Sequence, residues 1–477
     1  MVKLLFKSML ACLISMFAWS CSNQEFDDVD ESVTNLIKEG YLGHIAADME
    51  KVRDYVPQNM VVAHRGSTYW TPEETESAYR WAREIGADYL ECDMQVTKDG
   101  VVLALHDDNL TRTTNIEQFY HGEVPSTRLQ YYIDIGYSAA EAQAKYEQDK
   151  KNFLPNYTNY YTYAELLALD AGTWFNNANP NLARSGFSSQ KQYVSSLEDL
   201  VMYARGYKLK RDAQGNRIFS FDKKTGKTVS GLSGTSDVIK YKLEYEVDDV
   251  DTGHRPGIYI EFKETWLNPS GFPEIVYDEL DRLDMNIITK PEPDNIPYYV
   301  HGKVNIGNTN GKVILQTFSL EALTNVATKF QGKVPTCFLL WQGNGATDLK
   351  YDTPLGYASF INLGLENKAH IIGPSIGGAP NNYYDINKPW QAYLIKKAGM
   401  LNHPYSFDTK AQMSQYFGDF NFGNAIGAYA PPYLDGMFTN RADMTLQFYI
   451  DKGLRNPEAA KTVQDPNKLL DKLGYTK

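Results

Sequence analysis

The 477-residue sequence predicts an α/β fold, a (β/α)8 TIM barrel with insertions, and three observations carry that expectation. Short apolar, β-rich runs alternate with stretches of helical periodicity from Asn59 onward, as a parallel sheet with helical crossovers requires. Eight such runs can be placed, the number one barrel needs. Several of them end in ionisable residues, and the C-terminal ends of barrel strands are where barrel enzymes carry their reactive groups.

The eight strand candidates, in order, are Met60 to Ala63, Tyr89 to Asp93, Val101 to Leu105, Gly257 to Lys263, Val313 to Phe318, Cys337 to Trp341, Met400 to Pro404 and Gly436 to Asn440. Thr75 to Ile85 has helical spacing, with Ala78, Trp81, Ala82 and Ile85 on one face; Leu197 to Ala204 and Pro273 to Leu283 behave alike. Two stretches exceed a minimal barrel. Asn115 to Lys191 is tyrosine-rich with a polar helical run near Ser138 to Lys150, and Tyr207 to Arg255 alternates like a hairpin. Both are read as insertions near 115–191 and 207–255 within one domain spanning 56–477.

Composition bounds the function. With 43% hydrophobic and 22% charged residues the chain has the makings of a large core. A formal net charge of -12 argues against a nucleic-acid partner, because phosphate backbones are bound by dense Lys and Arg. An anionic substrate would then need a local cluster of cations or a metal.

Residues 1–20 read as an export signal, with Lys3 and Lys7 before an apolar run from Ser8 to Trp19 that is too short for a membrane span. Cys21 follows the small Ser20, as in a bacterial lipoprotein signal, where that cysteine is acylated. The expectation is a lipoprotein of the bacterial cell envelope, held to a membrane through a lipid anchor at Cys21, with 21–55 as acylated cysteine, polar linker and leading helix. Cys92 and Cys337 then remain, enough for one disulfide at most.

Four groups of residues point to chemistry. His64-Arg65-Gly66 directly follows Val61-Val62-Ala63. In Glu91-Cys92-Asp93 the two carboxylates share one strand face, roughly 7 Å apart, and Cys92 points the other way as a packing residue. Carboxylates so close repel unless a cation sits between them, and a hard cation such as Ca2+ or Mg2+ suits oxygen ligands; two independently solvated carboxylates would fit the spacing as well. His106-Asp107 follows a Lys98-Asp99-Gly100 turn, and Glu261-Phe262-Lys263 again puts two charged groups on one face, either a metal and anion site or a strand-end salt bridge. Convergence on one barrel mouth makes them a phosphoryl-transfer toolkit: carboxylates for a metal, Arg65 and Lys263 for an anion, two imidazoles for protons. His121, His254, His301 and His370 lack such context and are expected in surface or core roles.

The run His64-Arg65-Gly66, Pro72-Glu73-Glu74-Thr75, Gly86-Ala87-Asp88, Glu91-Cys92-Asp93, Thr97-Lys98-Asp99-Gly100, His106-Asp107 and Leu110-Thr111-Arg112-Thr113-Thr114 resembles, in order and spacing, the opening of the glycerophosphodiester phosphodiesterase family of the periplasmic bacterial type. Further similarity, through Asp435 to Arg441, extends the resemblance over roughly residues 58 to 450. It implies His64 and His106 as the acid and base pair, Glu91, Asp93 and Glu261 as ligands of a divalent metal, Ca2+ or Mg2+, and Arg65 and Lys263 as phosphate contacts. Glu73 matches an acidic residue supporting the metal or substrate site, and His403 stands where the family has a strand-end His-Pro, either lining the pocket or lying behind it. The implied reaction is hydrolysis of a small-molecule glycerophosphodiester to glycerol 3-phosphate and an alcohol.

Departures from the family pattern are Glu74 in place of Asn, Asn440-Arg441-Ala442-Asp443 in place of Asp-x-Pro-Asp, and the length of 207–255. The first and third are expected near the mouth, where they bear on substrate choice, and the tyrosines of Tyr157 to Tyr163 either border a head group or pack structurally. Two rival functions are a phosphodiesterase acting on lysophospholipids, phosphoinositides or sphingolipids, and a non-catalytic envelope binder of glycerophosphodiesters.

Overall fold

A computed structural model of the chain describes residues 29–178, 191–263, 267–342, 349–418, 429–455 and 457–476. The expected export signal and Cys21 lie outside the described residues. Among those described, no helix is long and apolar enough to cross a membrane.

Eight parallel strands form the barrel: β1 (Met60–Ala63), β2 (Tyr89–Val96), β3 (Gly257–Phe262), β4 (Val313–Thr317), β5 (Thr336–Leu340), β6 (Ile371–Pro374), β7 (Leu401–Asn402) and β8 (Gly436–Thr439). Each is followed in the chain by its helix: α1 (Glu76–Ile85), α2 (Leu197–Ala204), α3 (Phe272–Arg282), α4 (Leu320–Phe330), α5 (Pro354–Glu366), α6 (Pro389–Lys397), α7 (Lys410–Phe417) and α8 (Ala442–Asp451). β8 pairs with β1, and the last seam, between β7 and β8, is closed by Asp435 N–H donating to Asn402 O (2.8 Å), Asn402 N–H donating to Asp435 Oδ2 (2.8 Å) and a bridge between Phe407 and Thr439.

Alternation along the strands divides the core into shells. Met60 and Val62 of β1 point into the barrel beside Tyr89, Tyr259, Ile314 and Phe438, whereas Val61 and Ala63 face the helices. Cys92 sits in that outer shell, buried and free, and Cys337 is buried and free inside the barrel, so the one disulfide the sequence allowed does not form.

The count of eight matches the expectation, but its membership does not. Val101 to Leu105 is not a barrel strand: its core, Val102–Ala104, runs antiparallel to the end of β2, with Met94 opposite Ala104. The Thr97 hydroxyl donates to Asp99 Oδ1 (2.6 Å) in the turn, and Gly100 takes a φ of +79° there, so the chain doubles back. The strand that replaces it is β6, whose Gly373 and Pro374 read as turn residues.

The 207–255 insertion is one long interrupted hairpin, in which Tyr207–Leu209 pairs with Tyr245–Val247, Phe219–Phe221 with Tyr241–Leu243, and Thr228–Ser230 with Thr235–Asp237. The 115–191 insertion carries a helix at Ala139–Asn152 with a Ser138 and Glu141 capping box. Tyr163 in it is buried with Arg217 and Asp199.

Candidate functional site

β1 ends in a tight turn over His64–Gly66, with Arg65 at φ 51° and Gly66 at φ +81°. A Cβ on Gly66 would stand 2.6 Å from Ala78 Cβ, so glycine lets this turn press against α1. The turn aims His64 and Arg65 into the mouth, and the Arg65 backbone N–H donates to Glu91 Oε2 (2.7 Å).

In the sheet Asp93 and Glu261 are direct partners across β2 and β3, and Gln316 of β4 lies beside Glu261. The alternation expected from sequence therefore puts Glu91, Asp93 and Glu261 together, each offering an oxygen within 4.8 Å of the others, all three side chains buried. Glu91 is further held by Gln316 Nε2 (2.9 Å), and Lys263 Nζ lies 2.9 Å from Glu261 Oε1 and 3.3 Å from Asp93 Oδ1. Arg65 Nε lies 3.0 Å from Asp93 Oδ2, yet that oxygen has no hydrogen-bond partner.

Three buried carboxylates cannot all keep a negative charge at this separation. Burial pushes Glu261 up to about 8 despite Lys263, and burial with the charge of Asp93 pushes Glu91 well above the usual carboxylate range. Asp93 goes the other way: burial opposes its ionisation, but Lys263, His106 and Arg65 hold it well below that range. Three converging carboxylates, one of them with a buried oxygen that lacks a hydrogen-bond partner, fit a hard divalent cation, which would draw all three into the ionised form.

His106 reaches the mouth by the unexpected route just described. The chain returning along β2 is tied by Leu105 N–H to Asp93 O (2.8 Å), which brings His106 back to the level of the carboxylates. The two histidines are then oriented differently. His64 Nδ1 lies 2.8 Å from Asn440 Oδ1, an acceptor, so Nδ1 carries the proton and Nε2 is left with its lone pair. Asn440 is itself fixed by donating to Asp408 Oδ1 (2.9 Å). His106 Nδ1 is hydrogen-bonded instead to the Asp107 carboxylate. Burial, then Arg65, lowers His64 to about 4, and burial lowers His106 as well. Burial works to raise Asp107, yet its bonds from His106 and Arg112 hold it well below the usual range.

Glu73 does not line the cavity. It accepts from Arg112 Nη2 (2.6 Å) and Nη1 (3.0 Å) and lies 3.5 Å from Arg65 Nη1, so it braces two arginines that do. Glu74 takes a left-handed backbone (φ 57°) and accepts the Asp93 N–H at 2.7 Å, beneath the site.

His403 corrects the substrate-contact expectation. It is wholly buried, its Nδ1 is 3.2 Å from the Tyr259 hydroxyl, and Tyr259 precedes Glu261 by two residues on the same inward face. That places His403 in the layer beneath the carboxylates, where burial lowers it to about 3 and keeps it neutral. His254 and His370 are buried too, as expected of core residues, and each accepts a backbone N–H.

The mouth opens into a cavity of about 570 Å³ lined by His64, Arg65, Glu91, His106, Glu261 and Lys263 and, on its far side, by aromatic residues. Among the described residues neither insertion contributes to its wall, contrary to the expectation for 207–255; of the two alternatives for Tyr157 to Tyr163, structural packing is the one that holds. The side chains that sequence reasoning did not assign are Arg112, Asn440 and Gln316. Arg112 lies inside a run that resembles the family, Asn440 begins a stretch that departs from it, and Gln316 lies in the strand candidate Val313 to Phe318; those were the signals available.

Comparison with known proteins is consistent with this mouth. Residues 64–244 match the model of the glycerophosphoryl diester phosphodiesterase family. A glycerophosphodiester phosphodiesterase of Bacillus subtilis is 30% identical over 385 residues, covering 81% of this chain and 84% of the relative. The mouse glycerophosphoinositol inositolphosphodiesterase GDPD2 is 27% identical over 165 residues, 33% of this chain and 25% of the relative. Among solved structures, an Oleispira antarctica phosphodiesterase in complex with the product sn-glycerol-3-phosphate aligns with TM-score 0.44 and 14% identity, covering 83% of this chain and 97% of that one. A glycerophosphodiester phosphodiesterase structure from Agrobacterium tumefaciens aligns with TM-score 0.41 and 17% identity, over 82% of this chain and 99% of that one.

Such a barrel, with imidazoles, carboxylates and cationic side chains gathered at one mouth, has the makings of a phosphoric diester hydrolase. The chain belongs to the glycerophosphodiester phosphodiesterase family.

Proposed function

We propose that the protein hydrolyses glycerophosphodiesters to glycerol 3-phosphate and an alcohol, with a divalent cation, Ca2+ or Mg2+, held by Glu91, Asp93 and Glu261 and with His64 and His106 moving the protons. One observation carries the reading: the carboxylate triad, through Glu91 and Glu261, and two differently oriented imidazoles open on one cavity. The cation, when bound, neutralises charge on the phosphoryl oxygens.

The rest is the work of the chain's own residues. Arg65 and Lys263 grip the phosphate, with Arg65 steadied by Glu73. His64 Nε2, its lone pair exposed by the Asn440 bond, accepts the proton of the attacking hydroxyl as the new O–P bond forms. His106 gives a proton to the departing alkoxide as the old P–O bond breaks, because a carboxylate partner supports an imidazolium where an amide does not. The attacking hydroxyl is water or the substrate's own glycerol 2-hydroxyl, in which case water opens a cyclic phosphate. Phosphorus NMR during turnover separates these routes by the presence of that intermediate.

The assay is release of glycerol 3-phosphate from glycerophosphocholine and glycerophosphoethanolamine by the purified protein, before and after chelation. We expect turnover that chelator abolishes and Ca2+ or Mg2+ restores. A rate indifferent to chelator would remove the metal from the proposal.

The sequence supports envelope placement through acylated Cys21. Incorporation of labelled palmitate that disappears in Cys21→Ser is the expected result, and labelling that persists would refute it.

A further inference from the structure

Strands β4 to β7 contribute a different kind of group to the mouth from β1 to β3. Phe318 follows β4, Trp341 follows β5, Tyr383 lies in the loop after β6 and Tyr405 follows β7, and all four line the active-site cavity. The rings are set at angles to one another: Phe318 and Tyr405 have centroids 5.6 Å apart at 86°, and Tyr383 and Tyr405 6.0 Å apart at 56°. Tyr405 is pinned by donating its hydroxyl to Leu340 O (3.0 Å). Trp341 and Tyr383 remain 48% and 42% exposed. A single exposed ring is ordinary on a protein surface, but these rings stand together on the wall of one cavity.

We infer that this aromatic wall is the subsite for the alcohol half of the substrate and that it selects an alcohol bearing a quaternary ammonium, choline, over one bearing a primary ammonium; the inference rests on the phosphodiesterase reading above. The chemistry decides the class. A trimethylammonium group has no N–H to donate and is drawn to the negative faces of aromatic rings, with Trp the strongest and then Tyr and Phe. A primary ammonium wants hydrogen-bond acceptors, and carboxylate acceptors in this cavity lie on the β1 to β3 side. An acyl chain would prefer an enclosed aliphatic channel, whereas the outer rings of this wall stand half in water.

The test compares kcat/KM for glycerophosphocholine, glycerophosphoethanolamine and lysophosphatidylcholine in the wild-type protein and in Trp341→Leu and Tyr383→Leu. Leucine keeps apolar bulk and removes the ring face, so a merely apolar wall would not register the change. We expect the wild type to favour choline over ethanolamine by about tenfold, and the ratio to fall toward one in each variant, chiefly through KM. A ratio near one in the wild type, a ratio that survives both substitutions, or faster cleavage of lysophosphatidylcholine than of glycerophosphocholine would each overturn the subsite alone. Absence of turnover on every glycerophosphodiester would overturn the activity and the subsite together.

Discussion

The mouth of this barrel has two halves, and they are built on different physical terms. On the side of β1 to β3 the reactive groups are held by directional bonds: Glu91 by the Arg65 N–H and Gln316, Asp107 by Arg112, His64 by Asn440, itself tied to Asp408. On the side of β4 to β7 the wall is ring against ring, with Tyr405 pinned through its hydroxyl. A buried polar group without a partner costs about 1 to 3 kcal/mol, so the charged half has few alternative arrangements. Aromatic contacts tolerate sliding. Chemistry demands fixed atoms, whereas recognition of an alcohol tolerates a softer surface.

The comparison breaks most sharply at the carboxylates. Asp93→Asn, isosteric but unable to balance Arg65 and Lys263, is expected to lower kcat/KM by about 10³-fold or more and to abolish the response to added cation. Steady-state kinetics across a cation titration checks this, and a normal cation response would place the metal elsewhere. Next come the imidazoles: His64→Ala and His106→Ala should each lower kcat by about 10² to 10⁴. Full activity in either variant would remove that ring from the mechanism. Asn440→Ala leaves both histidines in place but frees the His64 tautomer. Loss of an orienting partner predicts a fall of about 10 to 100-fold in kcat with little change in KM, and an unchanged kcat would remove Asn440 from the orientation of His64.

Acidity supplies a fourth test. Because burial raises Glu261 to about 8 and holds Glu91 well above the usual carboxylate range, cation binding must strip protons from both, and affinity should weaken by at least about tenfold for each unit of pH below 8. Calorimetry in buffers of different ionisation enthalpy measures the protons released; affinity constant between pH 6 and 8 would contradict the assignment. The smallest effect is expected one layer down. His403→Ala removes the imidazole partner of the Tyr259 hydroxyl, costing about 1 to 3 kcal/mol in denaturant unfolding, with kcat/KM within about twofold of wild type.

Those same terms explain what could be read in advance. Glu91, Asp93, Glu261 and Lys263 were legible because strand alternation dictates their shared face. His106 was placed at the mouth for the wrong reason: apolar Val101 to Leu105 looks like a barrel strand, and residue pattern carries no information on strand direction. β6 was overlooked because its Gly373 sits where a Cβ would strike Leu339 and Cys337, so close packing put turn residues inside a strand. Arg112, Asn440 and Gln316 act through other side chains, and their long-range partners are invisible in local sequence.

The antiparallel arm after β2 has one more consequence. Ser195–Ser196 pairs with Leu103 and Ala104, so the chain leaves the barrel and rejoins it some ninety residues later at adjoining points of the same small ladder. A detour with a shared doorway is an exchangeable cassette. Its far part, beyond Arg112, can change in length while the doorway, and with it the position of His106, stays shut.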